Sequence, residues 1–241
     1  MRLAVLSDIH GNWEALKEVL ADMDRSRIDL TACLGDNVGY GPRPDKVVRT
    51  VRQRDIPCIM GNHELAVVDE AYLEWFNPEA QESILLTRSL LSAETVEYIE
   101  GLKPSMVVGG CLCVHGTPPD SVTRYLFEMG YPELLQWFSF AEPRICFVGH
   151  THELEIIRYD GDDLAQSYLP EGVLKIHPED RCIINVGSVG QPRDGDNRAK
   201  YVVWDDEENT LEVRFVPYDI QTTMDKILEL GFPPFNAYRL L

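Results

Sequence analysis

The sequence is poor in basic residues. It has 22 lysines and arginines against 40 aspartates and glutamates, which gives a formal net charge of −18 over 241 residues. Binding to duplex nucleic acid or to an anionic membrane requires a basic face, and no stretch of this chain is rich in lysine and arginine. We therefore expect neither partner. Bound cations would neutralise part of the excess of carboxylates.

Long hydrophobic runs and paired cysteines are also missing. No stretch approaches the roughly 18 apolar residues of a membrane span, and Asp8 interrupts the first apolar run too early for a secretory signal. None of the six cysteines has the C-x-x-C spacing of a zinc site. We expect buried, reduced thiols and a cytoplasmic location. Cys111 and Cys113 would share one face of a strand, so a disulfide or metal pair there stays open as the less favoured alternative.

Histidine is scarce as well, but its placement is regular. Only six histidines are present, and five of them follow the ends of short apolar runs. If the chain stays extended after the run at residues 145–148, His150 and His152 lie on one face of it. The runs and the polar residues that follow them are 3–6 with Asp8 and His10, 31–34 with Asp36, 58–60 with Asn62 and His63, 111–114 with His115, and 145–148 with His150 and His152.

The order of predicted elements over residues 1–60 is strand, helix, strand, helix, strand. Asn12 is a suitable N-cap for the first helix, Pro44 is a suitable first residue for the second, and residues 56–60 form the third predicted strand. This order predicts a parallel sheet, with ligands gathering beyond the carboxyl ends of its strands. Short strands predominate after residue 144, which indicates hairpins and an antiparallel portion.

No repeat, low-complexity segment or change of composition marks a domain boundary. We therefore expect a single domain over residues 1–241. The segments 64–104 and 117–143 have mostly helical patterns, and they either pack on the core or form a cap over the site. The apolar tail that begins at Phe232 is expected to dock on the body of the domain.

The polar residues at the strand ends define a type of chemistry. Aspartate, histidine and asparagine without a thiolate suit divalent metals such as Mn, Fe, Ni or Zn. Seven candidates exceed one four-coordinate site and fit two metals that share a carboxylate. Two metals about 3.5–4 Å apart can hold both the attacking and the leaving oxygen in a displacement at phosphorus. The candidates are Asp8, His10, Asp36, Asn62, His115, His150 and His152.

Five blocks of this sequence, in this order, resemble the signature of the calcineurin-like metallophosphoesterase superfamily. Each block alone occurs by chance, but five in order over residues 8–152 are specific. The resemblance implies an α/β fold, namely a four-layer sandwich in which two mixed β-sheets are flanked by helices. The blocks are Asp8-x-His10, Gly35-Asp36, Gly61-Asn62-His63-Glu64, His115-Gly116 and Gly149-His150-x-His152.

The resemblance also implies a role for each matching residue. His63 would be the catalytic residue that faces the leaving group and gives it a proton. Two divalent ions per chain, manganese in the first place, would activate a water molecule as the nucleophile. One ion would be held by Asp8, His10 and His152, the other by Asn62, His115 and His150, and Asp36 would bridge them.

The second block departs from the pattern of protein phosphatases. Those members of the superfamily carry Gly-Asp-x-Val-Asp-Arg-Gly, and here Gly39 and Tyr40 replace the second Asp and the Arg. The change weakens a protein-phosphatase assignment and leaves no acid to orient His63. The loops around residues 39–42 and 190–195 resemble instead those of small bacterial and archaeal phosphoesterases. Arg43 and Arg193 are our candidates for the missing phosphate contact, unless they are ordinary surface arginines.

We expect a metal-dependent phosphoesterase that hydrolyses a phosphodiester or nucleotide-type small substrate. The alternatives are a dinucleoside polyphosphate hydrolase, a protein-phosphatase-like enzyme, and a scaffold that keeps the fold without catalysis. The complete set of candidate ligands and the presence of His63 argue against the scaffold.

Overall fold

The computed structural model describes residues 1–241, with eleven strands and eight α-helices. The strands are β1 (Arg2–Leu6), β2 (Leu30–Cys33), β3 (Ser105–Val108), β4 (Cys111–Val114), β5 (Ile145–Val148), β6 (Leu154–Tyr159), β7 (Leu164–Tyr168), β8 (Gly172–Lys175), β9 (Arg181–Val186), β10 (Ala199–Asp205) and β11 (Thr210–Val216). The helices are α1 (Trp13–Asp24), α2 (Pro44–Gln53), α3 (Asn62–Val68), α4 (Pro78–Leu90), α5 (Ala93–Glu100), α6 (Tyr131–Phe140), α7 (Ile220–Glu229) and α8 (Pro234–Tyr238). Two short 3₁₀ helices lie at Glu70–Trp75 and Leu126–Glu128.

The strands form two mixed sheets. The first has the order β2-β1-β10-β11-β8, in which only β1 and β2 are parallel neighbours. The second has the order β3-β4-β5-β9-β6-β7, in which β4, β5 and β9 run parallel and the others antiparallel. Two mixed sheets are what the resemblance implied, and that prediction is confirmed.

The side chains of β1 show how the layers are stacked. Leu3 and Val5 pack into the core between the two sheets, whereas Ala4 and Leu6 face the opposite side and pack with residues of α1 and α2. In the second sheet, Val148 of β5 packs outward with residues of α6. The central strands are covered on both faces, which is why they read as continuous apolar runs in the sequence. The layers are therefore helix, sheet, sheet and helix, as expected.

The prediction of a third strand at residues 56–60 is wrong, because this segment does not form a regular strand. Only an isolated parallel bridge joins Cys58 to Cys33 of β2. Pro57 has no N–H to donate to a ladder, and the N–H of Met60 bonds to a carbonyl outside β2. The segment still runs alongside the edge strand, and it delivers the residues of the third block to the same end of the sheet.

The peripheral segments follow the sequence expectation in outline. Residues 64–104 hold most of α3, a 3₁₀ helix, α4 and α5, while 117–143 hold a 3₁₀ helix and α6 after an irregular stretch. The C-terminal tail docks on the body, where Phe232 and Leu240 pack with residues of α7 and α4. All six cysteines are free. No helix in this fold combines the length and the apolar character that crossing a bilayer demands.

Candidate metal centre and its cavity

The candidate ligands converge where strands of both sheets end. Each follows the carboxyl end of β1, β2, β4 or β5, except Asn62, which begins α3. None of the seven candidate ligands, nor His63, is more than 8% exposed. Buried polar groups are costly unless they have partners, so this concentration marks a site. The eight residues are Asp8, His10, Asp36, Asn62, His63, His115, His150 and His152.

Gly149 allows the two sheets to approach each other at this point. A Cβ on Gly149 would lie 2.1 Å from Ser7 Oγ and 2.6 Å from Asp8 Oδ2, so no larger residue fits. The close approach lets the backbone N–H of His150 donate to Asp8 Oδ2 at 3.1 Å. The other oxygen, Asp8 Oδ1, is buried without a hydrogen-bond partner.

The first group of ligands consists of Asp8, His10 and His152. In each histidine, Nδ1 is bonded to a backbone carbonyl, of Val38 at 2.9 Å and of Gln191 at 2.6 Å. A neutral imidazole has one N–H, so both Nε2 atoms carry lone pairs. They face each other at 3.2 Å, and Asp8 Oδ1 lies 3.2 Å from His152 Nε2 and 3.8 Å from His10 Nε2. Three electron-pair donors converge with nothing to balance them, which a divalent cation does.

The second group consists of Asp36, His115 and His150, whose ligand atoms all lie within 4.8 Å of one another. Asn62 Oδ1 is 3.0 Å from His115 Nε2 and adds a fourth donor. Asp36 Oδ2 lies 3.3 Å from His115 Nε2 and 3.7 Å from His10 Nε2. One carboxylate oxygen therefore faces both groups, which is the position of a bridging ligand.

The electrostatics of the site agree with a bound cation. Burial lowers the pKa of His150 to about 3 and that of His10 well below its ordinary value, and neutral imidazole is the form that binds metals. His115 is the exception: burial opposes its charge, but Asp36 and then Asp8 raise its pKa to about 10. The carboxylates therefore attract a proton to this histidine, and a divalent ion would compete for the same place.

The backbone is strained at the ligands. Five of the seven have φ in the left-handed region, which costs a non-glycine residue on the order of 1–3 kcal/mol and is typical of functional sites. The chain after β5 is therefore not extended. His150 and His152 do not share a face but join different groups, which corrects the expectation above. The φ values are 54° for Asp8, 48° for His10, 51° for Asp36, 69° for His150 and 64° for His152.

His63 lies beside both groups but is held differently. Its backbone N–H donates to Asp36 Oδ1 at 2.9 Å, and its Nδ1 is buried without a partner. The ring packs against those of His10, Tyr40 and Phe76, with centroid distances of 4.7, 4.5 and 4.9 Å. Burial lowers its pKa to about 4. Ring packing, rather than an acid, sets its orientation.

Five residues of the cluster line a cavity of about 700 Å³, namely Asp36, Asn62, His63, His150 and His152. Both helical segments that were expected to pack on the core or to form a cap contribute to its walls. Trp75, at the end of the first 3₁₀ helix, is 71% exposed although it lines the cavity. The wall residues from these segments are Tyr72, Trp75, Phe76, Asn77 and Ala80 on one side, and Thr123, Arg124, Tyr125 and Glu128 on the other.

The family model of calcineurin-like phosphoesterases matches residues 1–175. This chain belongs to the calcineurin-like phosphoesterase family. It is similar to the uncharacterized protein MJ0912 of Methanocaldococcus jannaschii, with 32% identity over 243 residues, 99% of this chain and 96% of that protein. It is also similar to a metallophosphoesterase from Sphaerobacter thermophilus, whose crystal structure has 36% identity, a TM-score of 0.85, and coverage of 100% of this chain and 98% of that one.

The hypothetical protein PH1004 from Pyrococcus horikoshii OT3 shares the fold at 18% identity. Its TM-score is 0.79, with 99% of this chain and 97% of that chain covered. As a member of its family, this phosphoesterase is a hydrolase that acts on phosphate esters. The family depends on two metal ions, and the His and Asp clusters of this chain fit that requirement.

The two candidate arginines of the phosphoesterase are placed differently. Arg193 lines the cavity; its Nη2 donates to Gln191 Oε1 at 3.1 Å, and its Nε is buried without a partner. Arg43 is exposed at the N-terminus of α2, where it lines a separate hollow with Lys46 and Lys226. The structure brings Arg193 to the site and does not bring Arg43 there, since the two arginines line different hollows.

Glu64 is a residue whose role in the phosphoesterase the sequence pattern did not reveal. Its buried carboxylate accepts the backbone N–H groups of Asp36 at 2.7 Å, Asn37 at 2.6 Å and Gly61 at 3.0 Å. It thereby ties the loop after β2 to the start of α3. The available signal was a glutamate three residues after the N-cap Gly61, where such side chains bond back to the cap.

Proposed function

We propose that this phosphoesterase hydrolyses small phosphodiester or nucleotide-type substrates with two divalent ions, manganese being the first candidate. The observation that carries the proposal is Asp36 Oδ2, which faces both groups of ligands. Nitrogen and oxygen donors without a thiolate suit Mn, and also Fe, Ni or Zn. In the proposal, Asp8, His10 and His152 hold one ion, Asn62, His115 and His150 hold the other, and Asp36 bridges them.

The protein residues prepare this centre before any ion arrives. Bound divalent ions would supply Lewis acidity and lower the pKa of a water molecule toward neutrality. The N–H of His63 binds Asp36 Oδ1, while Oδ2 lies between the two groups, 3.3 Å from His115 Nε2 and 3.7 Å from His10 Nε2. The backbone carbonyls of Val38 and Gln191 hold His10 and His152 in the tautomer that presents Nε2.

His63 is our candidate for the proton donor to the leaving oxygen. It lines the cavity, and although its ring lies within 4.8 Å of ligand atoms of His10 and Asp36, the two groups of the proposal are complete without it. Burial alone favours the neutral ring, but an anionic phosphate within about 4–6 Å favours the imidazolium. Substrate binding would therefore charge His63 at the stage when a proton is needed.

The cavity supports a small substrate that contains an aromatic base. Its volume of about 700 Å³ lies in the range of small-molecule sites. The exposed Trp75 and the neighbouring Tyr72, with ring centroids 5.4 Å apart, offer faces for a base, and stacking on an aromatic side chain contributes about 1–3 kcal/mol. Gly39 and Tyr40 stand where the protein-phosphatase pattern has Asp and Arg, which counts against phosphoproteins as substrates.

The proposal extends to what the phosphoesterase does not bind. The net charge of −18 opposes duplex nucleic acid and anionic membranes. Six free cysteines suit a reducing compartment, so we propose a cytoplasmic location. A titration that showed tight, salt-sensitive binding to duplex DNA would contradict this part of the proposal.

The test is a hydrolysis screen of metal-free protein with and without added Mn²⁺. The panel contains bis(4-nitrophenyl) phosphate, phosphomonoesters, cyclic nucleotides, dinucleoside polyphosphates and a phosphoserine peptide. We expect Mn²⁺-dependent turnover, with a diester or nucleotide as the best substrate and the peptide far behind. A lack of turnover with Mn²⁺, Fe²⁺, Ni²⁺ and Zn²⁺ alike would favour the scaffold, and a phosphopeptide as the best substrate would favour the protein phosphatase.

A further inference from the structure

The C-terminal tail of the chain reaches the rim of the active-site cavity. Asn236 in α8 is 2% exposed, and its Nδ2 donates to Ser83 Oγ of α4 at 2.7 Å and to the carbonyl of Tyr40 at 3.5 Å. Leu240 is 3% exposed in the apolar cluster of α7 and α8. These contacts fix the end of the chain on the loop that carries Tyr40, and they set the position of Arg239.

Arg239 lines a second hollow that adjoins the main cavity. The second hollow has a volume of about 230 Å³. Three residues, Tyr40, Asn77 and Ala80, line both spaces. Arg193 lies on the main cavity and Arg239 on the second hollow. A ligand that extends past Tyr40 would therefore meet one guanidinium and then the other.

Neither guanidinium forms an ion pair within the protein. Other arginines do: Arg54 binds Asp24 and Arg198 binds Asp196. Arg193 has only the neutral side chain of Gln191 and an unpartnered Nε, and Arg239 lies over the ring of Phe235 at 5.3 Å. Arg27 also lacks an ion pair, but Arg193 and Arg239 lie on adjoining cavities, where two guanidinium groups without a counter-charge offer a place for an anion.

The electrostatic environment of Arg239 also favours the binding of an anion. Burial lowers the pKa of Arg239, and the positive charge of Arg193 lowers it further, so the two guanidinium groups repel each other. Glu79 also lines the second hollow, but it does not pair with Arg239 within ion-pair distance. An anion between the arginines would relieve the repulsion and could accept paired N–H bonds from each fork.

We propose that Arg193 and Arg239 form a subsite for a second phosphoryl group, so that preferred substrates contain a pyrophosphate linkage, as in nucleoside diphosphates and dinucleoside polyphosphates. This inference rests on the proposed function, because the reacting phosphate is placed at Asp36 and His63. Hydrolysis joins the oxygen of water to that phosphorus and breaks its bond to the bridging oxygen. The bridging oxygen leaves with the second phosphoryl group and takes a proton.

The test is calorimetric binding of methylphosphonate and methylenediphosphonate to Mn²⁺-loaded protein. These probes have one and two phosphoryl groups and no ester or anhydride bond to cleave. We expect Arg239→Gln to raise the Kd of methylenediphosphonate about tenfold, which is the scale of a lost charge-assisted contact. The Kd of methylphosphonate should rise less than about twofold. Arg239→Lys, which keeps the charge, should recover part of the loss. Metal content, measured after each titration, should be unchanged.

Arg27→Gln is the matched control. Arg27 is also exposed and without an ion pair, but it precedes β2, at the end of the sheet opposite to the site. The Arg27→Gln protein should bind both probes with the same Kd values as the unmodified protein. If Arg239→Gln weakened the binding of both probes equally, or of neither, the proposed subsite would be refuted.

The two proposals can fail separately. Bis(4-nitrophenyl) phosphate has a single phosphoryl group and reports hydrolysis without the subsite. If it is cleaved while Arg239→Gln leaves methylenediphosphonate binding unchanged, the hydrolytic function stands and the subsite is refuted. If neither an ester nor a pyrophosphate linkage is cleaved while Arg239→Gln selectively weakens the binding of methylenediphosphonate, the subsite stands and the hydrolytic function is refuted.

Discussion

Gly39 lies directly against the imidazole of His63, so that a Cβ on Gly39 would stand 2.1 Å from His63 Nδ1. The φ of Gly39 is +84°, which also disfavours any other residue. The protein-phosphatase pattern, from which the second block departs, has an aspartate at this position. Here the space for that side chain is taken by the histidine itself, and the rings of His10, Tyr40 and Phe76 hold it in place.

We therefore expect Gly39→Ala to displace the His63 ring and to lower kcat on the order of 10²-fold or more, with both metals retained. Gly231→Ala is the control for backbone strain, since Gly231 has a similar φ of +78° and nothing within 4 Å of its Cβ position. Steady-state kinetics and metal analysis of both variants check this. Equal losses in the two variants would mean that strain, and not the displaced ring, is responsible.

His63→Ala should slow the hydrolysis of substrates according to their leaving groups. A strongly basic alkoxide needs a proton to depart, so we expect kcat for nucleotide or alkyl esters to fall on the order of 10²–10⁴-fold. A nitrophenolate is stable without a proton, so the loss should be much smaller for a nitrophenyl ester. The same loss for both esters would assign His63 to charge stabilisation instead. No loss for either would remove it from the mechanism.

Asp36→Asn should be the most damaging single change among the ligands, because the carboxylate faces both groups. We expect the purified variant to hold fewer than two ions per chain, as measured by mass spectrometry, and to lose turnover. Asp55→Asn is a matched control: Asp55 has the same φ of 51° but is exposed, and it lies in a turn after α2. An Asp36→Asn protein with two ions and full turnover would refute the bridging role.

Removal of the metals should lower thermal stability as well as activity. Asp8 Oδ1 has no partner, and two Nε2 atoms face each other at 3.2 Å, so a bound ion relieves repulsion in the folded state. At a free Mn²⁺ concentration of about 100 Kd, linkage predicts a gain of about 2.7 kcal/mol in the free energy of unfolding. Calorimetric Tm values after chelation and after readdition of Mn²⁺ test this.

His152→Ala should retain less of that metal-dependent rise in Tm, because it removes one donor of the first group. The exposed His177, which lies outside the site, provides the control. A His177→Ala protein should respond to Mn²⁺ as the unmodified protein does. A Tm that Mn²⁺ leaves unchanged in all three proteins would count against metal binding at these residues.

Glu64→Gln should lower the free energy of unfolding by about 1–3 kcal/mol. The amide keeps the shape of the side chain but offers one oxygen for the three backbone N–H groups that the carboxylate now accepts. Urea unfolding measures the change, with Glu100→Gln, an exposed position at the end of α5, as the control. Equal stability of the two variants would show that the carboxylate is not what holds the loop after β2.

Part of the candidate site could be predicted from local sequence patterns. A short apolar run followed by Asp, His or Asn indicates both that a buried strand ends and that a polar group lies at its end. Asp8, Asp36, His115 and His150 could be found in this way because each lies within three residues of its strand. The departure at Gly39 was also visible in the sequence, although its meaning for His63 was not.

The strand ends and the chemistry of the donor set can be predicted from the sequence, because both depend on neighbours along the chain. Only the tertiary structure shows which strands share a sheet, that residues 56–60 make only a bridge, and that the chain after β5 is not extended. It also decided between the two arginines, which look alike in the sequence: Arg193 reaches the cavity and Arg43 does not. Arg239 comes to the rim only because the distant α4 and α7 hold the tail. Such contacts join residues far apart in the chain, and no local spacing encodes them.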